Sequence, residues 1–172
     1  MNLRSIVVTC AALFALGAQA QMGTPVPDEC KQLEAMVGTW TGKAKFNFTG
    51  EEAEGPVKVT NRMSLNGRYL EGHHEYEMPE MGKFFGLQMM TFDAAKGEWL
   101  SHWFDSSEAG AMEMRGKKEG DWYVISGVYK SEAMEMEMRN KVKVSGSSMS
   151  MVLEMKMGDD WMPMMTAEYK KS

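Results

Sequence analysis

The sequence predicts an all-β fold: a single antiparallel up-and-down barrel of about ten strands, preceded by one short helix. Two observations carry this expectation. From Thr39 to the C-terminus, apolar and polar residues alternate with a period of two, the spacing that sends successive side chains to opposite faces of a strand. Turn-prone pieces such as Asn66-Gly67, Ala94 to Gly97 and Ser145-Gly146 recur at short intervals, with no helical crossover between them. Amphipathic strands joined by tight connections bury their apolar faces best when the sheet closes on itself.

The chain opens with Arg4, an uncharged apolar run from Ile6 to Gly17, and the small-x-small triplet Ala18-Gln19-Ala20. That order is expected of a secretory signal peptide over residues 1–20, with Gln21 as the new N-terminus. The run is too short for a permanent membrane helix, and no later run is long enough to span, so no stable membrane insertion is expected. The protein is expected to be exported, to the periplasm or to the medium. Cys10 lies inside the apolar run behind Thr9 and leaves with the leader. Residues 21–27 read as a tether. Residues 28–172 read as one domain, since no linker, repeat or composition break divides them.

Asp28 is expected to cap a helix reaching about Val37, with Cys30, Leu33, Met36 and Val37 on its apolar face and Gly38 as its stop. Strands then read as Thr39 to Phe48, Val57 to Leu65, Arg68 to Glu77, Phe84 to Phe92 and Glu98 to Asp105. The remainder are Ala111 to Arg115, Trp122 to Tyr129, Met134 to Val144, Met149 to Met157 and Met162 to Lys170. Asn66-Gly67 is expected to centre the second hairpin, because both residues tolerate positive φ.

Without the leader, 18 basic residues stand against 24 acidic ones. An acidic surface disfavours polyanions, so no nucleic-acid partner is expected. Cys30 is then the single cysteine, which excludes an internal disulfide. The core alone must hold the fold, and a chain of this size buries roughly 70% of its unfolded surface. No segment specifies an oligomeric state.

Methionine is the unusual component, with 20 in 172 residues. Met134, Met136 and Met138 alternate with Glu135, Glu137 and Arg139. A one-residue slip would bury those charges at several kcal/mol each, so the methionines are expected to face inward. The same reading turns Met112, Met114, Met149 and Met151 inward. Methionine fills irregular cores, but leucine does so at a lower entropy cost and with little loss of stability. So heavy a load fits a soft interior that re-packs around a small apolar molecule. Thioethers also suit copper(I) and reversible oxidation to sulfoxide. Copper binding or redox buffering is therefore one alternative, and a structural or interaction role in the cell envelope is another.

His74 shares a strand face with Leu70 and Tyr76 and is a candidate interior contact. His102, within the run Trp99 to Phe104, has either face open to it and is the second candidate. There is no H-x-x-x-H pair or cysteine cluster for a metal, and no nucleophile elbow, phosphate loop or dinucleotide fingerprint. Asp105 to Glu108 read as a solvated turn. No enzyme activity, metal or cofactor is expected.

Five segments taken in order resemble a known family. They are Leu33 to Trp40 (LEAMVGTW), Met63 to Glu71 (MSLNGRYLE), Gly86 to Asp93, Trp99 to Ser106 (WLSHWFDS) and Met165 to Lys171 (MTAEYKK). Together they are similar to the bacterial domain-of-unknown-function family numbered 1579, over nearly the whole mature chain. The resemblance implies a lipocalin-like barrel with the short helix capping one end. Gly38-Thr39-Trp40 resembles the lipocalin G-x-W start, which implies that Trp40 plugs that end and that a basic residue of the last strand, Lys170, covers it. Barrels of the nitrobindin type begin similarly and hold haem through a histidine in the C-terminal half. This chain has no histidine after His102, so no haem is implied.

Overall fold

The computed structural model describes residues 24–48, 50–79, 81–131 and 135–172. The signal-peptide reading over residues 1–20 and the inward placement of Met134 lie outside them. A 3₁₀ helix at Asp28–Met36 is followed by ten strands. These are β1 (Gly38–Phe46), β2 (Ala53–Ser64), β3 (Tyr69–Met78), β4 (Gly82–Asp93) and β5 (Glu98–Asp105), then β6 (Met112–Glu119), β7 (Trp122–Lys130), β8 (Glu135–Ser145), β9 (Ser148–Met157) and β10 (Asp160–Lys171). Each strand pairs antiparallel with the next, and β1 pairs with β10 to close the barrel. This is the closed up-and-down barrel that the alternation of residues predicts.

The alternation of side chains follows the charges. In β8, Met136, Met138, Val142 and Val144 face the interior, while on the outside Arg139 and Lys141 meet Glu154 of β9 at 2.6 and 3.5 Å. On the outer face Lys43 of β1 pairs with Glu54 of β2 at 2.6 Å, and Lys45 of β1 with Glu52, just before β2, at 2.9 Å. Such exposed pairs are worth about 0–1 kcal/mol each. Their larger consequence is register, because a slip would bring these charges inside.

The closing seam runs from Trp40↔Lys171 to Phe46↔Met165. It demands close backbone approach at Gly42, where a Cβ would lie 1.9 Å from the Glu168 carbonyl oxygen. Only glycine fits there.

The helix closes one end of the barrel. Cys30, Leu33 and Met36 are fully or almost fully buried beneath it, as their spacing predicts. Leu33 and Met36 pack on Leu70, Met90, Trp99, Met114, Tyr123 and Ile125. Trp40 is wholly buried and its indole donates to the Met36 carbonyl at 2.7 Å, while the Asn61 amide donates to the same oxygen at 3.0 Å. These two side chains satisfy a carbonyl that a helix end otherwise leaves unpaired.

The Asn66-Gly67 hairpin forms as expected: Ser64 pairs with Tyr69 and Met63 with Leu70, which centres the reversal on those two residues. Leu65, Asn66 and Gly67 sit at positive φ, 47°, 58° and 80°, and Gly67 N–H donates to the Ser64 carbonyl. Two expectations are corrected. Asp28 is not the cap: Pro27 holds that position without a side-chain bond, and Asp28 begins the helix and pairs with Lys31 at 2.7 Å. Second, Lys170 does not cover Trp40. Tyr169 points inward, so Lys170 points out and bonds Ser148 at 2.7 Å, whereas Lys171 is in phase with Tyr169 and its ammonium lies 5.2 Å from the Trp40 ring.

Candidate ligand-binding cavity

The end opposite the helix is open. A cavity of about 470 Å³ descends from it, within the range of roughly 300–1,000 Å³ usual for small-molecule pockets. Its two walls differ in chemistry because their strands do. On β1, β3, β4 and β5, inward positions are aromatic: Phe46, Tyr76, Phe84 and Trp103 line the cavity. Tyr76 and Phe84 stack at 6.0 Å, and Phe84 stacks on Trp103 at 6.5 Å. Gly86 makes room for this, since a Cβ there would sit 2.2 Å from the Trp103 ring. The Trp103 indole N–H donates to Asp105 at 2.9 Å, at the rim. The facing wall is thioether and aliphatic, made of Met112 and Met114 on β6, Met136 and Met138 on β8, Met151 and Leu153 on β9 and Met165 on β10.

The floor is polar. His74, Gln88, Asn140 and Met151 line both this cavity and a smaller one of about 20 Å³ beneath it, the size of a single water site. His74 is 6% exposed, its Nδ1 lies 2.8 Å from the Tyr76 hydroxyl, and its ring meets Trp103 edge-on at 5.0 Å. Burial in this apolar setting lowers its pKa to about 4, with the His73 charge on the opposite face a lesser cause; the imidazole is neutral near pH 7. Gln88 donates to Ser101 at 3.1 Å. His74 Nε2 and Asn140 Oδ1 have no partner of hydrogen-bonding distance and angle among the described residues. Burial likewise raises the Tyr76 and Tyr169 hydroxyls above the ordinary phenol range.

Most of the sequence-derived candidates converge here. His74, Met112, Met114, Met136, Met138 and Met151 line the main cavity. Met149 faces inward but lines the small lower cavity instead. His102 is corrected: Ser101 is wholly buried and Trp103 packs inside, so His102 points outward, where it meets Glu113 at 3.5 Å. Sequence reasoning missed Gln88 and Asn140. The available signal was phase, since Asn140 falls between Met138 and Val142 on the apolar stripe and Gln88 between Gly86 and Met90. Cys30 does not reach the cavity; its thiol lies 3.4 Å from the Arg68 carbonyl and 3.7 Å from Thr91 Oγ1.

The solved structure of Rv2717c from M. tuberculosis is similar in fold, with a TM-score of 0.66 at 14% identity over 86% of this chain and 99% of that one. No curated protein matches the chain significantly. A family profile described as "Protein of unknown function (DUF1579)" matches residues 27–171, the whole barrel with its helix. The chain therefore belongs to the DUF1579 family.

Proposed function

We propose that this is an exported binding protein that holds a small apolar molecule inside the barrel and performs no catalysis on it. One observation carries the reading: an open cavity of about 470 Å³ walled by aromatics on one side and methionines on the other. A core selected for stability alone would fill that space, because each void left in a packed interior costs stability. Thioethers are polarisable and flexible, so they re-pack around guests of different shape. Support for export comes from the charged start, apolar run and Ala18-Gln19-Ala20 triplet; N-terminal sequencing from the envelope fraction is expected to begin at Gln21.

Nile red, an uncharged dye that brightens in apolar surroundings, tests the binding. The protein is expected to bind it saturably, and Met138→Trp, which puts an indole into the cavity, is expected to weaken binding with little change in thermal midpoint. No saturable binding, or equal binding by the variant, refutes the proposal. A second reading, copper(I) binding, is favoured by eight methionines lining one cavity. Anaerobic titration against a cuprous chelator separates the two, because a dye-binding barrel that leaves the chelator loaded has no use for the metal.

A further inference from the structure

We propose that the cavity's occupant is an uncharged molecule with a hydroxyl at one end, entering head-first so that the hydroxyl meets His74 and Asn140. This rests on the binding role proposed above and adds the chemistry and direction of the guest.

The argument starts from the two unpartnered atoms. Buried polar groups are almost always hydrogen-bonded, and leaving one unpaired costs about 1–3 kcal/mol. His74 Nε2 and Asn140 Oδ1 are both unpaired, on side chains that line the floor of the main cavity. Where the Tyr76 hydroxyl donates to Nδ1, the proton sits on Nε2, which then donates; in the other tautomer Nε2 accepts. Asn140 Oδ1 can only accept. A hydroxyl both accepts and donates, so it can partner either atom.

Charge selects against an ionised head. Among the described residues no lysine or arginine lines the main cavity, and the ionisable groups that do are His74, Tyr76, Tyr129 and the rim carboxylate Asp105. A carboxylate or phosphate drawn to the floor would leave water for a site without a cation, which is strongly unfavourable. An ammonium would meet no carboxylate there either. The apolar walls above the floor take the rest of the molecule.

Displacement of Nile red at pH 7 by 1-decanol, decanoate and decane tests this, on the wild type and on a His74→Phe/Asn140→Leu double variant. In the wild type, decanol is expected to displace the dye at lower concentration than decanoate. In the double variant, decanol is expected to weaken about ten-fold, the effect of losing roughly one hydrogen bond to a buried partner, while decane is unchanged. The unchanged decane value also shows that the variant keeps its barrel. Stronger displacement by decanoate, or a variant that leaves decanol as strong as before, overturns the inference; the second result is the one expected if a bound water satisfies both atoms. If none of the three displaces dye from the wild type, the binding role itself fails and takes this inference with it.

Discussion

Acidification should destabilise this protein through His74, and the size of the effect follows from the structure. The folded state holds the imidazole at a pKa of about 4 because it is buried among aromatic and apolar side chains, whereas an unfolded chain returns it to about 6.5. Between those values the unfolded state carries a proton that the folded state refuses. Stability therefore rises with pH across that window, is complete above about 6.5, and is lost as pH falls toward 4. A difference of about 2.5 units at 1.36 kcal/mol each gives about 3 kcal/mol, a large share of the 5–15 kcal/mol typical of a domain. Urea unfolding at intervals from about pH 7.5 to pH 4 measures it. His74→Phe removes the titrating group and keeps a ring of similar shape. Its stability should fall less over that window by about 3 kcal/mol, since carboxylates common to both proteins cancel in the comparison. Equal pH dependence in the two proteins would refute the placement of a neutral, buried His74.

Gly42→Ala drives a methyl into the Glu168 carbonyl at 1.9 Å and should cost upwards of about 2 kcal/mol, with faster hydrogen exchange along β1 and β10; an unchanged thermal midpoint would disprove the tight seam. Glu154→Ala strips the carboxylate shared by Arg139 and Lys141 and should lower urea stability by about 1–3 kcal/mol, more than Glu54→Ala does on the exposed face. Lys171→Met removes the ammonium over Trp40 and should cost about 0.5–1 kcal/mol. Lys170→Met should cost less and leave tryptophan fluorescence alone; the reverse order would restore Lys170 as the cover.

Strand phase was legible where opposite faces differ sharply in chemistry. In β8 each inward methionine is flanked by outward charge, and only one register is affordable, so the methionine wall could be read directly. In β5 the run Trp99 to Phe104 is apolar on both sides of His102, and phase emerges only from pairing, with Trp103 opposite the inward Gln88. At the C-terminus two lysines in succession hide the parity that Tyr169 and Ala167 carry. Asn140 and Gln88 escaped notice because a polar residue on an apolar stripe reads as an interruption; three-dimensional convergence with His74 makes them a floor. The cavity itself is a property of how ten strands tilt and close, which local pattern does not encode.

The β1–β10 seam has a consequence for biogenesis. Trp40 waits for Lys171, so β1 has one partner, β2, at once and the other only after all the intervening strands and β10 have been made. Contacts this distant in sequence make for slow assembly, and until closure both terminal strands expose raw edges that invite pairing with other chains. A nascent chain of this topology stays unsealed until β10 is in place, and loss of the stretch Met165 to Lys171 would remove the latch.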